Sequence, residues 1–198
     1  CTYLTPVGER ALVLRLSVQN QNAEPRTVRF GTDGQWDQTL HEVNETTELT
    51  EGREAYESGW NHMFIFSQKP GLPLFAFAPC VADPQQFAEI DQQARWNRSD
   101  FAYDIYRETV LQPGETAVLD IPWGVGYEGV AASTSAKELL RQGFDAVYDR
   151  TVRWLSAREK PLTDPKLHEL LNTNLFFAFF YASGRTVDTE ELCLMTSR

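Results

Sequence analysis

Basic residues and long apolar runs are both scarce in this sequence. Lys and Arg number 18 against 28 Asp and Glu, so the formal net charge is −10 at pH 7. Because phosphate groups are bound by clustered Lys and Arg, this balance argues against a nucleic-acid partner. The longest apolar stretch, residues 175–182, is much shorter than the ~18 residues that cross a bilayer, so no membrane partner is expected.

Cysteine is also scarce, and its spacing excludes two kinds of small scaffold. Cys1, Cys80 and Cys193 are odd in number and far apart, which suits neither a disulfide framework nor a zinc-ligand set. We therefore expect reduced, buried thiols and a cytoplasmic protein. The first residue has two interpretations. A sequence cut from a longer protein is favoured, and the lipid-bearing end of an envelope lipoprotein is the alternative.

The sequence also lacks the short motifs that hold metals and cofactors. His41, His62 and His168 are too widely separated for a zinc site of the HExxH type. Neither a glycine-rich phosphate loop nor a GxSxG nucleophile elbow occurs. We therefore predict no metal and no cofactor.

What the first 128 residues do contain is the pattern of antiparallel β-structure. In residues 11–20 (ALVLRLSVQN), leucines alternate with Val13, Arg15 and Ser17, which predicts a strand with two different faces. The sequence Gln112–Glu115 (QPGE) predicts a tight turn between two strands, at a hairpin or a sheet corner. Many short strands separated by Gly and Pro favour a β-sandwich.

Other parts of this region are expected to end or interrupt strands. A strand over residues 26–36 is predicted to close on Gly31 and Gly34. Residues 84–96 (PQQFAEIDQQARW) are predicted to form a short helix or a long loop, because they are rich in Gln and polar side chains.

Helical signals replace the strand pattern after residue 128. The capping box Ser135–Glu138 predicts the start of one amphipathic helix that continues to about residue 158. Asp164 as N-cap and Pro165 at the first helical position predict a second helix that ends near Gly184.

The second half of this last helix, residues 175–181 (LFFAFFY), is apolar on every side. A helix of that kind must be enclosed by other elements. One amphipathic helix and one sheet face cannot enclose it, and each phenylalanine left in water would forfeit about 1.5–3 kcal/mol. We therefore expect further helices to follow in a longer parent protein.

This order of sheet, amphipathic helix and apolar helix resembles a family of bacterial enzymes. Residues 164–198 (DPKLHELLNTNLFFAFFYASGRTVDTEELCLMTSR) are similar to the first barrel helix and following loop of (α/α)6-barrel glycoside hydrolases of the amylo-α-1,6-glucosidase and glucoamylase type. Residues 29–45 (RFGTDGQWDQTLHEVNE) fit the same glycogen-debranching-like, six-hairpin glycosidases less specifically. The resemblance implies a mainly β fold, an antiparallel β-sandwich of the super-sandwich type followed by α-helices that begin an (α/α)6 barrel.

The resemblance also implies a division into domains and a role. Residues 1–128 would form the N-terminal β-sandwich domain, 129–161 a linker helix, and 162–198 the start of a truncated catalytic barrel. The parent enzyme would hydrolyse α-glycosidic bonds of glucans or oligosaccharides with paired carboxylates. Those carboxylates would lie on later barrel loops, so no catalytic residue is predicted in this chain. Its partners would be the carbohydrate substrate and the remaining barrel.

Some residues of this chain are candidates for contact with the sugar. The polar and aromatic loop around residue 36 can stack on and hydrogen-bond a sugar ring, and hydroxyl and guanidinium groups near the C-terminus can line a pocket. The predicted substrate-binding residues are Trp36, Asp37, His41, Arg185 and Arg198.

Two further interpretations accompany these predictions. The acidic cluster Asp188, Glu190 and Glu191 reads most simply as the solvated first turn of another helix, at Glu190–Leu192. The alternative to an enzyme fragment is a carbohydrate-binding β-sandwich module without catalysis. A free module has no reason to carry an apolar helix, which favours the enzyme fragment.

Overall fold

The computed structural model describes the backbone of residues 1–36, 39–41, 46–48, 54–58, 63–67, 74–77, 88–96, 101–126, 129–185 and 192–194. Side-chain surroundings are described for residues 1–35, 88–93, 102–126 and 129–176. The strands are β1 Thr2–Leu4, β2 Ala11–Gln19, β3 Arg26–Trp36, β4 Thr39–His41, β5 Thr46–Glu48, β6 Glu54–Ser58, β7 Met63–Ser67, β8 Leu74–Phe77, β9 Ile90–Trp96, β10 Phe101–Leu111, β11 Thr116–Gly126, β12 Ser183–Arg185 and β13 Leu192–Leu194. The helices are α1 Gly129–Gln142, α2 Phe144–Ser156 and α3 Pro165–Ala182.

The strands pair antiparallel, as the sequence predicts. A six-stranded sheet has the order β1-β2-β11-β8-β7-β6, and a three-stranded sheet has the order β3-β10-β9. The pairs β4-β5 and β12-β13 are separate. The expected turn at Gln112–Glu115 is present, with the Glu115 N–H donating to the Gln112 carbonyl at 3.0 Å and Gly114 at φ 81°. It joins β10 to β11, which belong to different sheets, so it is a sheet corner.

Side chains from both sheets form one hydrophobic cluster. Leu14 on β2 and Leu119 and Ile121 on β11 pack with Tyr103 and Ile105 on β10. Ile105 and Ile121 have no exposed surface. The predicted alternation of β2 is confirmed, because Leu14 faces this cluster while its neighbour in sequence belongs to a different one.

The prediction that β3 closes on its glycines is wrong, since the strand continues through both. Gly31 is the partner of Tyr106 on β10, and Gly34 is the partner of Tyr103. A Cβ atom at Gly31 would lie 2.7 Å from Cδ1 of Tyr106, and one at Gly34 would lie 2.9 Å from Cζ of Tyr103. At Gly31 such an atom would also meet the carbonyl oxygen of Ile105, so this glycine makes room for the β10 backbone as well as for a ring, whereas Gly34 makes room for the Tyr103 ring.

The prediction of a helix or loop over residues 84–96 is also wrong for residues 90–96. Residues 90–96 form β9, which pairs with β10 from Ile90↔Arg107 to Trp96↔Phe101. This strand is at the edge of its sheet. Its polar side chains suit a strand that contacts a neighbour on one side and water on the other.

The expected single amphipathic helix is two helices, and it starts earlier than predicted. Helix α1 begins at Gly129, so the residues of the proposed capping box lie inside it. Gly143 breaks the helix with φ 78°, and its N–H donates to the Leu139 carbonyl at 3.0 Å. A left-handed glycine with this bond ends a helix, and α2 begins at the next residue.

Helix α1 packs closely on the face of the six-stranded sheet opposite the first cluster. Ala132 and Ala136 are completely buried. A Cβ atom on Gly124 of β11 would meet the carbonyl oxygen of Ala132 and lie 2.9 Å from the Ala136 nitrogen. Small residues on both elements therefore permit this approach. A second cluster continues the packing, and its members are Leu4, Val13, Leu139, Phe144 and Val147.

The chain divides into two compact units, Cys1–Tyr148 and Asp149–Arg198. The predicted domain boundaries after residues 128 and 161 stay predictions. In the second unit, the predicted start of α3 is confirmed, because Oδ1 of Asp164 accepts the N–H of Lys166 at 2.9 Å. Leu192 lies in β13, which pairs with β12, so the prediction that a helix begins at Glu190–Leu192 is wrong at that residue.

Helix α3 shows an exposed apolar stripe between residues 167 and 175. Leu167, Leu170, Leu171 and Leu175 are 38–60% exposed. The side chains of residues 177–182 lie outside the described residues, so the prediction about their enclosure stays a prediction. Among the helices that the structure describes, none combines the length and apolar character that crossing a bilayer requires.

The structure describes the three cysteines to different extents. The expectation of a buried thiol is wrong for Cys1, which is free and exposed because it immediately precedes the edge strand β1. Cys80 lies outside the described residues, and only the backbone of Cys193 is described, in β13.

Candidate functional site

A groove of about 700 Å³ lies in the first unit. It follows the C-terminal end of β10, the first half of β11 and the turn between α1 and α2. This volume is within the range of small-molecule sites. The groove is lined by charged and polar side chains as well as apolar ones, so we take it as the candidate binding site.

One side of the groove is built around Arg15. Arg15 on β2 and Asp120 on β11 are directly paired residues of neighbouring strands. Nε and Nη2 of Arg15 donate to the two carboxylate oxygens of Asp120, both at 2.7 Å. This bidentate pair matches the fork of a guanidinium group to a carboxylate, and it fixes the orientation of the Arg15 side chain.

The turn into α2 completes this cluster. Nη1 of Arg15 donates to Oδ1 of Asp145 at 2.6 Å, and its Cζ lies 3.9 Å above the centre of the Phe144 ring. Hydrogen bonds to Asp120 raise the pKa of Arg15 above its ordinary value, although partial burial acts against them. The guanidinium is thus permanently charged, stacked on an aromatic ring and held from two sides.

The other side of the groove is built around Arg107 on β10. Its Nε donates to Oε2 of Glu89 at 2.8 Å, and its Nη1 donates to the Val118 carbonyl at 2.6 Å. The Thr109 hydroxyl donates to the second oxygen of Glu89 at 3.1 Å. Arg107 is only 12% exposed. It therefore joins the two sheets through its bond to the Val118 carbonyl on β11, while its charged bond to Glu89 stays beside its own sheet.

The two carboxylates at Arg15 differ in accessibility. The Asp120 side chain is 13% exposed, whereas that of Asp145 is 86% exposed. Both oxygens of Asp120 bind Arg15, so its role is to orient the guanidinium. Asp145 is fixed by Arg15 and still open to water, which makes it the carboxylate that a ligand can reach.

The described residues of this groove do not form a candidate metal site. Within the described ranges, no group of three or more His, Cys, Asp or Glu side chains is placed to hold a metal ion. The groove carboxylates of Asp120 and Asp145 bind the Arg15 guanidinium instead.

The residues predicted from sequence to bind substrate are placed elsewhere or lie outside the described part. Trp36, His41 and Arg185 are the last residues of β3, β4 and β12, and only their backbone is described. Asp37 and Arg198 lie outside the described residues. None of the five is among the described residues that line the groove, so their role in substrate binding stays a prediction.

The groove residues were missed in the sequence although a signal was present. Arg15 interrupts an apolar run in ALVLRLSV, and Asp120 does so in TAVLDIPW. A single charge inside an apolar strand needs a partner, because an unpaired buried charge is strongly unfavourable. The two strands are far apart in sequence, and nothing local indicates the register that places these residues side by side.

No model of a known protein family matches this sequence, and no curated protein matches it.

Proposed function

We propose that this chain is the N-terminal part of a bacterial (α/α)6-barrel glycoside hydrolase that acts on α-glycosidic bonds of glucans or oligosaccharides. The two larger sheets would form its antiparallel β-sandwich, a view supported by the hydrophobic cluster that both sheets share. Helix α3 would be the first helix of the catalytic barrel. The catalytic carboxylates would belong to later helices and loops of the parent enzyme.

The observation that carries this proposal is the apolar stripe of α3. Leu167, Leu170, Leu171 and Leu175 recur at the spacing of one helix face, and all are exposed. Full burial of a leucine contributes about 1.5–3 kcal/mol relative to exposure. A face with four such side chains is therefore suited to packing against another helix, as in a helical barrel.

One flank of α3 is already occupied, and the leucine stripe remains available as a contact face. Asn172 is 4% exposed, and its amide bonds the backbone N–H and carbonyl of Lys160 at 2.7 and 2.9 Å. Residues 168 and 172 lie about 100° around the helix axis from the centre of the stripe, by the 3.6-residue turn. The loop before α3 thus covers one face and leaves the leucines available.

In this proposal the chain positions substrate and supports the barrel without catalysing the reaction. Its partners would be a carbohydrate and the rest of the helical barrel. We place the enzyme in the cytoplasm, which the scarcity of cysteine supports. The negative net charge and the short apolar runs support partners other than nucleic acid or membrane.

A carbohydrate-binding module without catalysis is the second candidate. The groove at Arg15 and Arg107 favours it, because a binding site within the first unit would not need a barrel. The two candidates differ in what they predict for α3. A free module needs no partner on the leucine stripe, whereas an enzyme fragment needs one.

The first test is the association state of the 198-residue chain, measured by light scattering after size-exclusion chromatography. We expect the chain to self-associate through α3 and the double variant Leu170→Gln/Leu171→Gln to be monomeric. Leu162→Gln is the matched control, since Leu162 is 44% exposed but lies outside α3. A chain that is monomeric with and without the double substitution would favour the free module.

The second test is the activity of the longer gene product. We expect the product that includes the following helical region to release glucose or maltose from maltooligosaccharides, and the 198-residue chain alone to release none. A longer product that leaves α-linked oligosaccharides intact would contradict the proposed activity.

A further inference from the structure

The charges in the groove are already matched to one another. Arg15 is bonded to Asp120 and Asp145 through three of its nitrogen atoms, and Arg107 is bonded to Glu89 and the Val118 carbonyl. An anionic ligand such as a phosphate would have to displace one of these carboxylates to reach a guanidinium. A cation would have to compete with Arg15 for Asp120. The groove therefore disfavours ions of either sign.

An uncharged ligand with many hydroxyl groups suits the same surface. Each hydroxyl both donates and accepts a hydrogen bond, so it can add to an existing ion pair without separating it. Asp145 supplies an accessible acceptor that Arg15 holds in place. Glu115 supplies a second, because it lines the groove and its Oε2 is fixed by the Gln112 N–H at 2.8 Å. Acceptors that are fixed before binding lose little conformational entropy when the ligand arrives.

We propose that this groove binds an uncharged oligosaccharide, with the exposed carboxylates of Asp145 and Glu115 accepting hydrogen bonds from sugar hydroxyls. The choice of a saccharide among polyhydroxylated ligands rests on the proposed function. The residues predicted from sequence are not among the described residues that line this groove. The groove lies within the first unit, so it would serve as an attachment point for a glucan chain.

The test is isothermal titration calorimetry of the complete 198-residue chain with maltoheptaose, a neutral α-linked oligosaccharide. We expect measurable binding, and Asp145→Ala to weaken it by about tenfold, as for loss of one hydrogen bond to a charged group. Arg15 keeps its bidentate bond to Asp120 in this variant, so the fold should persist, which circular dichroism checks. Asp149→Ala is the matched control, because Asp149 is an exposed aspartate on the same helix outside the groove lining.

A second variant and two further ligands make the outcome decisive. Glu115→Ala should also weaken maltoheptaose binding, and oligogalacturonate, which is anionic, should bind more weakly than maltoheptaose. Binding that neither variant alters, no binding of any neutral oligosaccharide, or tighter binding of oligogalacturonate would each overturn the groove as a saccharide site.

The β-linked probe cellohexaose separates this inference from the proposed function. If cellohexaose binds, maltoheptaose does not, and Asp145→Ala abolishes the binding, the groove is a saccharide site and the α-glycosidic assignment fails. If maltoheptaose is hydrolysed by the longer gene product but its binding to the 198-residue chain is unaffected by Asp145→Ala, the enzyme assignment stands and this inference fails.

Discussion

The best-buried side chains in residues 1–148 are apolar, whereas in residues 149–198 the best-buried side chains described are polar. Ile105, Leu119 and Ile121 are at most 1% exposed in the first unit. In the second unit, Thr151 and Asn172 are the buried residues among those described, at 5% and 4%.

The difference indicates two sources of stability. The first unit has a hydrophobic cluster on each face of its six-stranded sheet, and burial of apolar surface is the main favourable term in folding. The described part of the second unit relies on local hydrogen bonds around Asn172, each of which contributes only about 1 kcal/mol net. We therefore expect the first unit to be the more stable when the chain is alone.

The largest loss of stability that tests this comparison is expected from a substitution at Ile121, in the first unit. Ile121→Ala should lower the free energy of unfolding of the first unit by about 3–4 kcal/mol, because it removes a fully buried side chain from the cluster. Leu162→Ala, at a 44% exposed position of the second unit outside α3, should change stability by less than about 0.5 kcal/mol. Urea denaturation followed by hydrogen-exchange mass spectrometry would assign each effect to its unit. Equal losses for the two variants would contradict the comparison.

A smaller loss of stability is expected in the second unit, where two asparagines of α3 can be compared. Asn172→Ala should cost about 1–3 kcal/mol, because it leaves the backbone groups of Lys160 without their side-chain partner. Asn174→Ala should cost less than about 0.5 kcal/mol, since Asn174 is exposed and its described bond is to the Leu170 carbonyl of its own helix. Amide exchange at Lys160, measured by NMR, would report the difference. Unchanged protection of the Lys160 amide in Asn172→Ala would show that the hydrogen bonds between Asn172 and Lys160 do not stabilise the second unit.

The smallest expected effect is a loss of stability of the first unit at alkaline pH. Burial raises the pKa of Tyr103 above its ordinary value of 10.0. Folding therefore favours the protonated hydroxyl, and this contribution is complete below pH 10 and is lost as the pH rises through the raised pKa. Denaturation curves between pH 9 and about 11.5 should show the loss, with a smaller slope in Tyr103→Phe.

Two other tyrosines serve to interpret that experiment. A hydrogen bond to Asp33 raises the pKa of Tyr106 as well, so some slope should remain in Tyr103→Phe. Tyr148→Phe, at a 44% exposed position, is the matched control for removal of a tyrosine hydroxyl. An unchanged slope in Tyr103→Phe would exclude Tyr103 as its source.

Features that depend on neighbours in sequence were predictable. The alternation of β2 assigned Leu14 to a core face, the residues Gln112–Glu115 predicted the tight turn, and Asp164 and Pro165 located the start of α3. Each of these is a local signal, a period or a cap, that requires no knowledge of the rest of the fold.

Features that depend on distant partners were not predictable. The polar strand β9 gains its conformation from pairing with β10, and Gly31 is tolerated inside β3 because of Tyr106. The break at Gly143 was concealed because apolar residues keep a helical spacing on both sides of it. The groove required the register of β2 against β11, which brings Arg15 opposite Asp120.

The tyrosines that lie across the glycines of β3 restrict how this sheet can change over evolutionary time. A side chain at position 34 would occupy the volume of the Tyr103 ring on β10, so substitution there is compatible with the fold only when Tyr103 shrinks in the same lineage. Positions 34 and 103 should therefore vary as a joint pair among descendants of a common ancestor, whereas position 31, where a Cβ atom would meet the Ile105 carbonyl oxygen, should remain glycine.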